Sequence, residues 1–353
     1  MNFRRRSLRV IAILLLVIAA GVLTAVLLLR RGRAPESVRL LPEADAVVYF
    51  DVQTMRRLGA FSNEKVTREP EYEQFVGESG IQFERDLDEV AFAVHAAKSS
   101  PAGAALSPET RFSEVFIGRF DLARATAYFR NLSEGIDRYR DIDVYLIPHD
   151  GRQVKVAVLS IGRIAVSNSE SREPMHRMID RYRSGAMHAM GPTVVGSFRE
   201  HIPLGSVVWA VAHVGDGVNV RGVPAPGMIS ALVGTTVIAS VRPLLGAQLR
   251  VEAVASDSDQ AQRITESANT MLGLFKDMEA NTPPAGSDED VKKVFDSIKL
   301  ERQENSAVLT ATIPSDFLKK ITSEPPSLPQ STPSATPTST PTATPNKSGR
   351  RNR

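Results

Sequence analysis

Twenty consecutive residues without a charge, Val10 to Leu29, constrain this chain more than any other feature. They read VIAILLLVIAAGVLTAVLLL. As a helix rising about 1.5 Å per residue the run spans about 30 Å, the hydrocarbon thickness of a bilayer. Arg4, Arg5, Arg6 and Arg9 precede it, and Arg30, Arg31 and Arg33 follow. The competing reading is a cleaved secretory signal, which has a shorter apolar region and a small-x-small cleavage site. Ala19-Ala20-Gly21 and Leu23-Thr24-Ala25 are the candidates for such a site, but apolar residues continue to Leu29. The run is therefore read as an uncleaved transmembrane helix over 10–29. Four arginines against three barely discriminate orientation by the positive-inside rule. The short flank 1–9 also carries the α-amino group, and the simplest topology keeps it in the cytoplasm. That gives a single-pass signal-anchor in the inner (cytoplasmic) membrane, N-terminus inside and body outside.

Charge is distributed to match. Residues 1–33 hold seven arginines and no acid, and the tail 323–353 holds four bases and one acid. The body, 34–322, keeps 32 bases against 39 acids, a net charge of −7. An acidic body with basic ends lacks the clustered Lys/Arg face that phosphate backbones require, so no nucleic-acid partner is expected. Aromatic content of 6% supplies no base-stacking platform. With zero Cys there is no disulfide framework, thiolate zinc site, thiol nucleophile or lipid-modified N-terminal Cys. That composition suits an extracytoplasmic bacterial protein.

After Ile321 the composition changes abruptly. Pro329, Pro333, Pro337, Pro341 and Pro345 recur every four residues among Ser and Thr. Proline fixes φ and cannot donate a backbone hydrogen bond, so neither helix nor sheet interior forms. Residues 323–353 are read as a disordered, PPII-biased tail whose reach approaches about 90 Å when fully extended. A spacer or glycosylated stalk, ending in a basic contact patch at Lys347–Arg353, is the sharper alternative.

The body reads as a repeated α+β unit. Leu41-Pro42-Glu43-Ala44-Asp45-Ala46-Val47 opens one β-rich run, and Ile202-Pro203-Leu204-Gly205-Ser206-Val207-Val208 opens another. In the first half, strands are expected at Val90–Ala96 and Ser113–Phe120, then a helix Leu122–Leu132 capped by Asp121. Strands at Asp143–Ile147, Val154–Leu159 and Arg163–Val166 and a helix near Glu173–Arg183 complete it. The second half repeats the order, with strands at Thr235–Val241 and Gln248–Val254. A long helix from Asp257 or Asp259 to about Met278 follows, then strands Ser297–Glu301 and Ala307–Ile313 and a short helix to Ile321. Strand pairs separated by helices favour an α+β fold with two similar modules, each an antiparallel sheet with helices packed on it. The expected modules are 34–184 and 198–322, joined by a Gly/Pro-interrupted linker at 185–197.

The Leu41–Val47 motif and its second copy at Ile202–Val208, with Ile in place of Leu, resemble a loose group of bacterial single-pass, membrane-anchored envelope proteins of unknown function. Their modules open with a Leu-Pro-x-x-(Asp/Ser)-x-Val strand. The resemblance implies location and architecture and transfers no catalytic residue.

A search for chemistry returns mostly structural readings. None of His95, His149, His176, His188, His201 and His213 has His-Glu-x-x-His spacing. His176 and Asp180 share a helix face as i, i+4, which favours a hydrogen-bonded surface pair over a metal site. His213, at a strand end, is read as structural. Gly215-Asp216-Gly217 with Gly222 lacks dinucleotide-loop spacing and is read as a hairpin or loop. Ser62-Asn63-Glu64-Lys65 satisfies Ser-x-x-Lys, but neither Ser-Asp-Asn nor Lys-Thr-Gly accompanies it. Asp257, Asp259 and Asp288-Glu289-Asp290 lie at helix starts, where carboxylates bond free N–H groups. Arg172, Arg177, Arg181 and Arg183 cluster with His176 as a solvated basic face, with an anion or lipid-headgroup contact as the alternative. No catalytic, cofactor-binding or metal-ligating residue is assigned, and no cofactor is expected. The leading expectation is a duplicated, non-enzymatic binding or structural body that contacts a protein or cell-envelope component. The alternative is an envelope hydrolase with a non-contiguous site between the modules, with the groove and loops such as His149-Asp150-Gly151 and His213–Arg221 as the places to look.

Overall fold

Period-two burial makes the strands. In β1 (Ala46–Phe50) Val47 and Tyr49 are buried while their neighbours are half-buried. In β8 (Val208–His213) Trp209 and Val211 play the same part. A computed structural model describes residues 34–59, 70–95, 111–185, 190–215, 230–244, 246–280 and 289–317. The flank 1–9, the apolar run 10–29 and the tail 323–353 lie outside the described residues, as does Ser62–Lys65. Among the described residues no helix is long and apolar enough to cross a membrane.

The remaining strands are β2 (Leu87–His95), β3 (Arg111–Gly118), β4 (Gly135–Tyr139), β5 (Ile142–His149), β6 (Arg152–Ser160), β7 (Arg163–Ser167), β9 (Thr236–Pro243), β10 (Ala247–Val254), β11 (Lys299–Gln303) and β12 (Ser306–Ile313). The fold is α+β, and among the described residues the strands form a single antiparallel sheet of twelve, in the order β11-β12-β10-β9-β8-β1-β2-β3-β7-β6-β5-β4. The two halves, expected to hold separate sheets, share this one. They meet where β1 pairs antiparallel with β8, from Ala46↔Ala212 to Phe50↔Val208.

Helices cover both faces. On the first face, α1 (Glu36–Leu40), α6 (Glu173–Arg183) and α7 (Thr193–Phe198) pack on Val47, Tyr49, Ala91, Val115, Trp209 and Val211. The stretch expected as a linker, 185–197, therefore contains most of α7, and its Val195 is fully buried. On the second face, α2 (Val52–Arg57), α3 (Pro70–Ser79), α4 (Phe83–Asp86) and α5 (Leu122–Leu132) enclose Val90, Phe92, Phe116, Val156 and Ile164. Phe75 of α3 meets Phe83 at 5.2 Å and Tyr128 at 5.6 Å between ring centres. In the second half, Ala261 and Ile264 of α8 (Ser258–Ala280) pack on Ala253 and Ala307. The helix α9 (Glu289–Ser297) lies against β12.

Local signals set the ends. Asp121 accepts hydrogen bonds from the Ala123 and Arg124 N–H groups, each at 3.1 Å, and starts α5 as expected. Asp257 accepts from the Gln260 N–H at 2.7 Å and starts α8. Two hairpins turn on positive φ: Arg140 and Asp141 between β4 and β5, Asp150 and Gly151 between β5 and β6. Both match the two-residue turns whose twist suits antiparallel strands.

Candidate functional site

The structure disperses the described histidines; His188 lies outside the described residues. His149 stands at the Asp150-Gly151 turn, 3.6 Å from the exposed Asp150 carboxylate. His213 ends β8, with its Nδ1 3.3 Å from the Thr236 hydroxyl. In the sheet order β5 lies six strand steps from β8. At about 4.8 Å per step that is roughly 29 Å between the strands that carry His149 and His213. Asp216–Arg221 lies outside the described residues. His201 places Nδ1 3.1 Å from the buried Glu252 carboxylate, which Arg250 meets at 2.9 Å. Burial opposes ionisation of Glu252, yet bonds from Arg250, His201 and Ser306 hold its carboxyl below the usual value.

The α6 cluster is consumed by structural contacts. Arg172 pairs with Asp137 at 3.2 Å, Arg177 with Glu173 at 2.8 Å and Arg181 with Glu43 at 2.8 Å. Arg183 donates to the Arg140 carbonyl at 2.7 Å. His176 and Asp180 do not bond each other as an i, i+4 pair. Both engage Tyr139: His176 stacks on its ring at 3.8 Å, and Asp180 accepts its hydroxyl proton at 3.2 Å. The basic face is therefore a seam fastening α6 to the β4–β5 hairpin and to Glu43.

Sequence reasoning missed a buried hydroxyl chain on the first face. His95 Nε2 lies 2.9 Å from Ser113 Oγ, and Ser113 Oγ lies 3.1 Å from Ser167 Oγ. The other His95 nitrogen bonds the Glu43 backbone, and burial pushes the imidazole below its ordinary value. Burial thus favours a neutral His95 beside the Ser113 hydroxyl, and Ser167 donates to the Phe112 carbonyl at 3.1 Å. The His95–Ser113 pair is a base beside a hydroxyl, as nucleophilic catalysis requires. Ser113 and Ser167 are both 0% exposed, however, so no substrate reaches either. Lys155, next to Ser167 across the β6–β7 pair, donates to the Ser169 carbonyl at 2.6 Å. The chain satisfies polar groups inside the core. No sequence spacing connects these residues, because three separate strands bring them together.

The described surface does contain one cleft with convergent, unsatisfied groups. It has a volume of about 380 Å³ and lies between α5, the start of β5, the end of β6 and Arg183 at the end of α6. Leu122 and Thr126 of α5 form one wall; Arg138, Asp143, Tyr145 and Val158 form the floor and the opposite wall. Arg138 faces Asp143 across the β4–β5 pair but turns to Asp141, 3.5 Å away. Asp143, Thr126 and the Tyr145 hydroxyl have no hydrogen-bond partner among the described residues. Among the described residues no group of three or more His, Cys, Asp or Glu is arranged to hold a metal ion.

No family model matches the chain, and no curated protein matches it. Among solved structures, crystal form III of TP0453 is similar at 13% identity and a TM-score of 0.45, covering 82% of this chain and 99% of that one. Crystal form I of TP0453 is similar at 12% identity and a TM-score of 0.43, covering 82% of this chain and 97% of that one.

Proposed function

We propose that the chain is a membrane-anchored extracytoplasmic protein whose duplicated, non-enzymatic body binds a protein or a cell-envelope polymer. The observation that carries this reading is the uncharged run Val10–Leu29 with arginines at both ends. The strand order supports the duplication. Outward from the β1–β8 pair, each half runs three adjacent antiparallel strands, then a helical crossover, then strands that return inward from the far edge. In the first half the returning set is β4 to β7; in the second it is β11 and β12. The binding role is supported by an open cleft lined with polar groups that have no protein partner among the described residues.

The chain has no Cys, so a single Ser331→Cys substitution places one thiol in the tail. Bacteria expressing this variant, with the outer envelope permeabilised, are treated with a membrane-impermeant maleimide before or after lysis. Labelling before lysis is the expected result. Labelling only after lysis puts the tail in the cytoplasm and overturns the proposal.

A further inference from the structure

We propose that the cleft beside α5 binds a saccharide and, resting on the envelope reading above, that the saccharide is a glycan segment of the cell envelope. Asp143 is a half-buried carboxylate, an acceptor with no donor among the described residues. Tyr145 is 3% exposed and borders the cleft, and its hydroxyl has no protein partner. Thr126, from α5, adds a second unpaired hydroxyl on the facing wall. None of these polar atoms is sealed from solvent, so each is free to bond a ligand that displaces its water.

The inventory selects the ligand class. Two guanidinium groups, Arg138 and Arg183, and two carboxylates, Asp141 and Asp143, line the cleft and balance in charge. A lining of no net charge does not select an anion or a cation. It presents donors, acceptors and two hydroxyls that act as both, which is the complement of ring hydroxyls. The apolar sides of Leu122 and Val158 suit the C–H face of a sugar ring. A volume of about 380 Å³ lies at the small end of ligand-binding clefts and admits a short saccharide segment.

The test is calorimetric titration of the full-length chain in detergent with chitotetraose and, separately, maltotetraose. At least one probe is expected to bind. Asp143→Asn should weaken that binding tenfold or more, and Tyr145→Phe and Thr126→Ala about threefold each. Glu173→Gln, on the other face, should leave it unchanged. Unaltered Trp209 emission identifies folded variants. Absence of heat with both probes overturns the site, and so does affinity indifferent to all three cleft substitutions. The Ser331→Cys labelling separates this proposal from the one it rests on. Outside labelling without saccharide binding sinks the cleft alone. Saccharide binding with labelling only after lysis keeps the site and removes its envelope source.

Discussion

Glu114 offers a quantitative test of the sheet's second face. It sits on β3 with Phe92 and Val166 directly opposite on the flanking strands. Among the described residues it has neither a hydrogen-bond nor an ion-pair partner. Burial pushes its carboxyl from 4.5 up to about 7. The folded chain therefore holds this proton to higher pH than the unfolded chain does. Stability is fullest below the unfolded value and declines as pH rises through the interval between the two. The span corresponds to about 3.4 kcal/mol in all, of which about 2.5 kcal/mol falls between pH 5 and pH 8. Glu114→Gln keeps the shape and removes the charge. Trp209, the only tryptophan, is 3% exposed and stacks on Tyr49 at the β1–β8 pair, so its emission reports unfolding at the middle of the sheet. Urea unfolding of the full chain in detergent should find the two proteins within about 1 kcal/mol at pH 5. At pH 8 the variant should be the more stable by about 3 kcal/mol. Comparing variant with wild type cancels every other titrating group. Parallel stability profiles across that range would refute a buried, unpaired carboxylate at Glu114.

Three further outcomes follow from the same contacts. Glu252→Ala leaves His201 and the partly exposed Arg250 without their buried acceptor and should cost about 3 kcal/mol in urea unfolding at pH 7. The Glu252 carboxyl is held below 4.5 when folded, so that difference should shrink as pH falls through its folded value. Asp121→Ala removes the acceptor for two N–H groups of α5 and should cost about 1 kcal/mol by the same assay; no change would deny the cap its role. Gly162→Ala puts a side chain at φ +78° and against the Gly118 carbonyl, and should lower stability by about 2 kcal/mol or more, seen as an earlier urea midpoint.

Elements with a strong local signal were legible in the sequence. The helix expected over Leu122–Leu132 forms over those residues behind Asp121, and the one expected near Glu173–Arg183 occupies that span. The strand β4 escaped, because Gly135-Ile136-Asp137-Arg138-Tyr139 is short, has two adjacent charged residues that break any alternation, and lies at the sheet edge, where no second neighbour demands an apolar run. The helix α7 escaped because Gly191 and Pro192 read as linker punctuation. In the fold Pro192 sits at the N-cap of a helix whose Val195 fills the core.

The two Pro-led segments before β1 and β8 show where sequence alignment loses physical content. Matching Leu41-Pro42 to Ile202-Pro203 pairs Val47 with Val208, yet Val47 is buried and Val208 half-buried. A two-fold relation through an antiparallel strand pair preserves the face of every residue, so a true counterpart of Val47 must share its parity. Trp209 and Val211 do, and Val208 does not. The discrepancy has a local cause. Three residues separate Pro42 from β1, whereas four separate Pro203 from β8, and the additional length includes Gly205 at φ +78°. One inserted residue reverses every facing that the alignment implies. The cleft was illegible for a related reason. Asp143 and Tyr145 are ordinary alternate residues of one strand, and Thr126 an ordinary helix residue. Only the crossing of α5 over the outer strands brings their unpaired groups to one opening. Chemistry assembled by crossing, not by spacing, leaves no pattern along the chain.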